Sequence, residues 1–89
     1  MNFSSCRINY TRKAQKDLNN LPKEIVERKL ERLRWLSENP ICEDKLKLAD
    51  LCKTGVGSYR IIYRIGNCNI DVIAIGKRES IYDELRKFF

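Results

Sequence analysis

Histidine is absent from this 89-residue chain. Neither an imidazole acid–base pair nor an imidazole metal ligand is therefore open to it. No apolar run approaches membrane-spanning length, and the start, MNFSSCRINYTRK, lacks the apolar core of an export signal. The four cysteines, Cys6, Cys42, Cys52 and Cys68, contain no CxxC pair. A zinc site would have to gather all four thiolates from irregular spacings. Two disulfides are open to them in principle, but without an export segment the better reading is a reducing cytosol and four small, partly buried thiols. The expectation is a cytoplasmic chain with no metal, no cofactor, no disulfide and no membrane partner.

What is present fits one folded domain covering residues 1–89. Hydrophobic residues make up 43% of the chain, ordinary for a globular protein, and repeats and low-complexity tracts are missing. The formal charge of +6 and the isoelectric point near 9.3 favour an anionic partner: nucleic acid, an acidic protein or an anionic surface.

Residues 3–10, FSSCRINY, alternate Cys6, Ile8 and Tyr10 against Ser5, Arg7 and Asn9, the period of a strand with one wet face. Thr11 suits the N-cap of a short helix carrying Ala14, Leu18 and Leu21. Pro22 suits the first turn of a second helix, about 22–38, with Ile25, Val26, Lys29, Leu30, Leu33 and Leu36 on one stripe. Trp35 lies off that stripe, at the edge of the core or under a partner. Asn39-Pro40 ends the helix and a connector follows through Cys42, Glu43 and Asp44. Residues 46–52, LKLADLC, give a weak strand; Gly55 and Gly57 then mark a turn or bulge. A strand over 58–65 and another over 68–75 meet at Gly66-Asn67, a two-residue hairpin signal. Ser80 and Asp83 have the spacing of a capping box opening a terminal helix that carries Ile81, Leu85 and Phe88. The fold class is α+β: a meander of three C-terminal strands plus the N-terminal strand in a small antiparallel sheet, packed against two N-terminal helices, with a short C-terminal helix.

The stretch from Lys53 to Arg78 carries Lys53, Arg60, Arg64, Lys77 and Arg78 against Asp71 alone. With Gly66-Asn67 as the turn, Ile65 pairs with Cys68, Arg60 faces Ile73 and Arg64 faces Asn69. Arg60, Ile62, Arg64, Asp71, Ile73 and Ile75 then share one face, and the Tyr59 face lies under the two helices. Lys53, Arg60 and Arg78 converge on a patch about 10 Å across, two strand spacings. Such a patch holds one phosphodiester, with arginine forks matching its oxygens. On the strand pattern alone, Arg60 and Arg64 read more readily as solvated residues than as ligands.

GSYRIIYRI followed by IGKRESIYDEL resembles the RelE/ParE superfamily of toxin–antitoxin toxins, and most closely its RelE-type branch, over nearly the whole chain. The resemblance implies a RelE-like fold and a type II toxin that cuts messenger RNA in the ribosomal A site and so inhibits translation. Its partners would be a cognate antitoxin, the ribosome and messenger RNA, with operator DNA reached only through the antitoxin complex. By that resemblance Arg60, Arg78 and Tyr82 are catalytic, the arginines on the scissile phosphate and the tyrosine on a base or the 2′-hydroxyl. Lys53 stands where a strand lysine is expected. Arg64, Lys77 and Lys47 are the further RNA-binding candidates. The position two residues after Lys53, often basic in the family, is Gly55 here.

Metal-independent cleavage of RNA needs a base for the 2′-hydroxyl, charge stabilisation at the phosphorane and an acid for the 5′-oxygen. Lys53 and Tyr82 are candidates for base or orienter, Arg60 for the phosphorane, Arg78 for stabilisation or leaving-group protonation, and Glu79 as an outside general base. Two alternatives share the resemblance. One is a ParE-type poison of DNA gyrase; the other is a catalytically weak homologue acting with its antitoxin in DNA-binding autoregulation.

Overall fold

In the computed structural model, which describes residues 6–46 and 50–87, Thr11 closes one element and opens the next. Strand β1 (Arg7–Tyr10) runs up to it. Its hydroxyl oxygen then accepts the Ala14 N–H at 3.1 Å and caps helix α1 (Arg12–Asn19), as the sequence predicts. Helix α2 (Lys23–Glu38) follows, with Pro22 at its N-cap. The chain continues through β2 (Asp44–Lys45), β3 (Cys52–Val56), β4 (Tyr59–Gly66), β5 (Asn69–Lys77) and α3 (Arg78–Arg86). The five strands form one sheet in the order β1-β5-β4-β3-β2. The α+β class stands, and the sheet is mixed: β2 to β5 pair antiparallel, while β1 lies parallel to β5. Parallel neighbours need a long crossover, and the whole chain between β1 and β5 supplies it.

Each face of the sheet has its own core. On one, Ala14, Ile25, Leu33 and Leu36 of α1 and α2 bury Ile61, Tyr63, Ile70, Val72 and Ile75. On the other, Ile81 and Leu85 of α3 cover Leu51, Ile62 and Ala74. The stripe on α2 is narrower than its sequence predicts: Ile25, Lys29, Leu33 and Leu36 are buried, but Leu30 is 48% exposed. Lys29 is accommodated because its ammonium donates to the Tyr10 hydroxyl at 3.2 Å. Helix α1 also completes the sheet edge. β1 pairs only as far as Val72, and beyond it the Thr11 hydroxyl donates to the Ile73 carbonyl at 2.9 Å. Asp17 accepts the Ile75 N–H at 3.0 Å. Lys13 bridges Asp17 (3.0 Å) to Glu84 of α3 (3.1 Å), tying the two faces together. Burial acts to lower the Lys13 pKa, but its bonds to the two carboxylates outweigh burial and hold it above the ordinary value.

Several expectations change. The hairpin turns at Asn67-Cys68, one residue later than Gly66-Asn67, so Gly66 pairs with Asn69 and Ile65 with Ile70. Both central residues have positive φ (46° and 55°), as a two-residue hairpin loop requires. A bulge at Ile73 then shifts the register, and Arg60 faces Gly76 rather than Ile73, while Arg64 faces Asp71 rather than Asn69. Ile75 consequently joins the core under α1 and α2. The first strand of the meander is Cys52–Val56 rather than 46–52. Helix α3 starts at Arg78, two residues before the expected cap at Ser80. Residues 3–5 of the expected first strand, Lys47, Leu48 and Phe88 lie outside the described residues.

The disulfide-free expectation is overturned. Cys6 is bonded to Cys68 and Cys42 to Cys52. The parallel register Arg7↔Asn69 brings position 6 beside position 68; the β2–β3 register sets Lys45 opposite Cys52, so Cys42 reaches Cys52 through the path of the connector before β2. The first contact depends on strand pairing and the second on the path of a connector, and cysteine spacing encodes neither. Among the described residues, no helix is long and apolar enough to cross a membrane.

Candidate active site

Arg60 lies in a row across the sheet between two glycines, Gly55 on β3 and Gly76 on β5. A Cβ on Gly55 would sit 3.0 Å from Arg60 Nη1, and a Cβ on Gly76 would sit 2.9 Å from Ile81 Cδ1. One glycine makes room for the guanidinium and the other for the base of α3. Arg60 therefore folds back over β3, its Nη1 donating to the carbonyls of Tyr59 (3.0 Å) and Gly57 (3.3 Å). Gly55, in place of the basic residue the resemblance leads one to expect, is what admits Arg60 to this position.

The row opens into a cleft of about 390 Å³ lined by Glu43, Asp44, Lys53, Thr54, Gly55, Arg60, Arg78 and Tyr82. Strand alternation delivers the first cations: Cys52, Thr54 and Val56 are buried, which turns Lys53 and Gly55 to the α3 side. The β5–α3 junction delivers the rest. The Arg78 N–H donates to the Ser58 carbonyl at 3.0 Å, so the first residue of α3 is pinned to the β3–β4 turn. One turn on, Tyr82 lies under Lys53, whose ammonium is 5.3 Å from the ring centroid. This cation–π pair also borders a neighbouring pocket of about 410 Å³ containing Leu46, Leu85 and Arg86.

Lys53, Arg60, Arg78 and Tyr82 are thus together. The other candidates are not part of the cleft lining. Arg64 lies four residues along β4 from Arg60, about 13 Å away, opposite Asp71. Lys77 pairs with Tyr59, one residue out of phase with Arg60, so it is directed to the opposite face. Glu79 is exposed in the first turn of α3, where a carboxylate suits the helix dipole. Lys47 is outside the described residues.

Sequence reasoning missed the acidic wall. Glu43 accepts from Arg32 (3.0 Å) and Thr54 (2.9 Å), so its charge is already partnered. Asp44 is more exposed and stands 3.8 Å from the Lys53 ammonium. Both are positioned by buried Tyr63, whose hydroxyl donates to the Ile41 carbonyl and accepts the Glu43 N–H, each at 3.0 Å. The only sequence signal was two adjacent acids in a connector. The cleft remains net cationic, with Lys53, Arg60 and Arg78 against Glu43 and Asp44.

A mixed sheet with two helices on one face, a third on the other and a net-cationic cleft beside the third defines a small α+β domain. The sequence profile described as the ParE toxin of the type II toxin–antitoxin system, parDE, matches residues 8–82. The chain belongs to this family, within the RelE/ParE superfamily of type II toxin–antitoxin toxins. No protein of curated function matches it closely in sequence. Among solved structures it is similar to a mutant of the E. coli toxin RelE in the free state, with 26% identity and a TM-score of 0.78 over 97% of this chain and 99% of that one. It is also similar to a chain of the intact E. coli RelBE toxin–antitoxin complex (25% identity, TM-score 0.74, 82% of this chain and 96% of that). A chain of the chromosomal ParDE system of P. aeruginosa shares the fold at 16% identity and a TM-score of 0.68, over 82% and 96% of the two chains.

Proposed function

We propose that this toxin is a ribosome-dependent endoribonuclease that cleaves messenger RNA by attack of a 2′-hydroxyl on the adjacent phosphate. The observation that carries the reading is the meeting of Lys53, Arg60, Arg78 and Tyr82 around one open cleft. Attack forms a cyclic phosphate and expels the 5′-oxygen, so charge develops on the phosphorane and then on the leaving group. The two guanidinium groups offer planar, permanently charged donors for that charge. Tyr82 presents a ring for a base to stack on, and Lys53 above it reaches the 2′-hydroxyl as base or orienter. Arginine is a poor proton donor, and the cleft has no imidazole. The ribosome would therefore supply alignment and part of the proton transfer, and free RNA would be cut slowly.

A cognate antitoxin is the expected protein partner, because relatives of this fold are found in complexes with RelB antitoxins. Cytoplasmic action on ribosomes follows from the same reading. The match to the ParE profile favours a second reading, a gyrase poison, which has no need of the Arg60–Arg78–Tyr82 set. The test is induction in cells with mapping of messenger RNA ends and of gyrase-linked DNA breaks. Arg60→Ala and Arg78→Ala should each abolish both the RNA ends and growth arrest. Arrest that survives both substitutions, accompanied by DNA breaks, would transfer the case to gyrase.

A further inference from the structure

The Cys42–Cys52 bond joins the segment that carries the acidic wall to the strand that carries Lys53. Inside that closure, β2 is only two residues long, pairing Asp44 with Lys53 and Lys45 with Cys52. The Leu46 N–H donates to the Leu51 carbonyl at 2.9 Å. So short a strand at the edge of a sheet has little stability of its own. The disulfide adds a covalent tie to the Tyr63 and Glu43 hydrogen bonds that set the Asp44 carboxylate near the Lys53 ammonium and Leu46 in one cluster with Tyr82. The second disulfide is placed differently: Cys6–Cys68 joins the start of β1 to the β4–β5 turn, the opposite end of the hairpin from Arg60 and Arg78.

We propose that the Cys42–Cys52 disulfide is a redox-controlled clamp on the cleft, which holds Asp44 over Lys53 when oxidised and frees Lys53 for an anionic ligand when reduced. The inference rests on the cleft being the RNA site proposed above. The reductant is a dithiol, of the class of thioredoxin-like oxidoreductases. Cys42 is exposed and Cys52 buried, so the attacking thiolate enters at Cys42 Sγ and forms a mixed disulfide, and Cys52 leaves as thiolate. The second thiol of the donor then displaces Cys42. The donor ends as a disulfide, and two electrons and two protons have passed to Cys42 and Cys52.

The test uses the full chain, a short fluorescein-labelled single-stranded RNA and amide hydrogen exchange, with thiols counted by mass spectrometry. Dithiothreitol reduces both disulfides, so Cys6→Ser/Cys68→Ser isolates the clamp, and Cys42→Ser/Cys52→Ser removes it. Reduced wild type and Cys42→Ser/Cys52→Ser should bind RNA roughly two- to fivefold tighter than oxidised wild type, the scale of one exposed ion pair released to the ligand. Their Asp44–Leu46 amides should exchange faster. Cys6→Ser/Cys68→Ser should still respond to dithiothreitol, and Cys42→Ser/Cys52→Ser should not. Equal affinity and equal exchange with and without the bond, in protein whose RNA binding is weakened by Arg60→Ala, would overturn the clamp and leave the nuclease cleft standing. If no form binds free RNA, the loss of messenger RNA ends in cells on Arg60→Ala decides the nuclease reading, and unchanged exchange at Asp44–Leu46 then overturns the clamp on its own.

Discussion

At the scale of single residues, the two glycines beside Arg60 have different neighbours, and that difference is measurable. The Cβ of Gly55→Ala would press on the tip of a partly exposed arginine, which can swing away. Stability should change by less than about 1 kcal/mol, while Arg60 loses its position over the Tyr59 and Gly57 carbonyls and RNA cleavage falls. The Cβ of Gly76→Ala would press on Ile81, which is fully buried in the core under α3. Overpacking there should cost about 1–3 kcal/mol. Urea titrations of the two variants beside wild type separate the cases. A Gly55→Ala protein as destabilised as Gly76→Ala would mean that Arg60 is rigidly packed and not a free ligand. The resemblance flagged Gly55 as a missing cation; only the register Gly55↔Arg60 reveals it as the space for a cation already counted.

At the scale of elements, Tyr63 couples the hydrophobic face of β4 to the acidic wall of the cleft, and it makes the fold sensitive to alkali. Burial pushes its pKa up, with the Glu43 backbone bond acting in the other direction. A phenol that stays neutral in the fold after it ionises in the unfolded chain gives the unfolded chain the advantage. The stability contribution is therefore constant below about pH 10, the ordinary tyrosine value. It is lost progressively as pH rises through that value towards the higher folded one. Tyr63→Phe should remove this slope and cost about 1–3 kcal/mol at neutral pH, because the Glu43 N–H loses its partner. Urea midpoints at neutral and alkaline pH measure both effects; an alkaline slope unchanged in Tyr63→Phe would assign it to other groups. Elements of this kind were unevenly legible. The α2 boundaries, Lys23–Glu38, follow from a four-turn apolar stripe and were close to expectation. The β3 boundaries did not, because Gly55 and Gly57 read as breakers although Gly55 is a paired strand residue. Ser80 and Asp83 have cap spacing, yet α3 starts at Arg78, fixed by a bond to Ser58 that no local pattern contains.

At the scale of the whole molecule, the same distinction between local and long-range information decides what could be foreseen. The meeting of Arg60, Arg78 and Tyr82 in one cleft was legible because a family resemblance covers both strand and terminal helix. The bond between Cys6 and Cys68 was not, because its ends are 62 residues apart and meet only through a parallel register. Closing a loop of that length contributes roughly 4 kcal/mol in the chain-entropy account. Cys6→Ser/Cys68→Ser should therefore lower the unfolding free energy by about that amount while leaving the cleft intact, read from urea unfolding beside RNA binding.

The molecule-wide charge offers the last discrimination, between a localised phosphate site and diffuse attraction to a +6 protein. Each phosphate neutralised on a single strand contributes about −0.7 to the slope of log K against log salt. Lys53, Arg60 and Arg78 are the cations in the cleft, so binding through it alone should give a slope near −2 by the same rule. Arg60→Ala should reduce its magnitude by about 0.7. Arg64→Ala should leave it unchanged, because Arg64 lies farther along β4, outside the cleft lining. Fluorescence anisotropy over a range of potassium chloride concentrations supplies these slopes. If Arg64→Ala and Arg60→Ala weaken binding and flatten the slope equally, RNA is tracking the whole basic strand face, and no single phosphate is selected by the cleft.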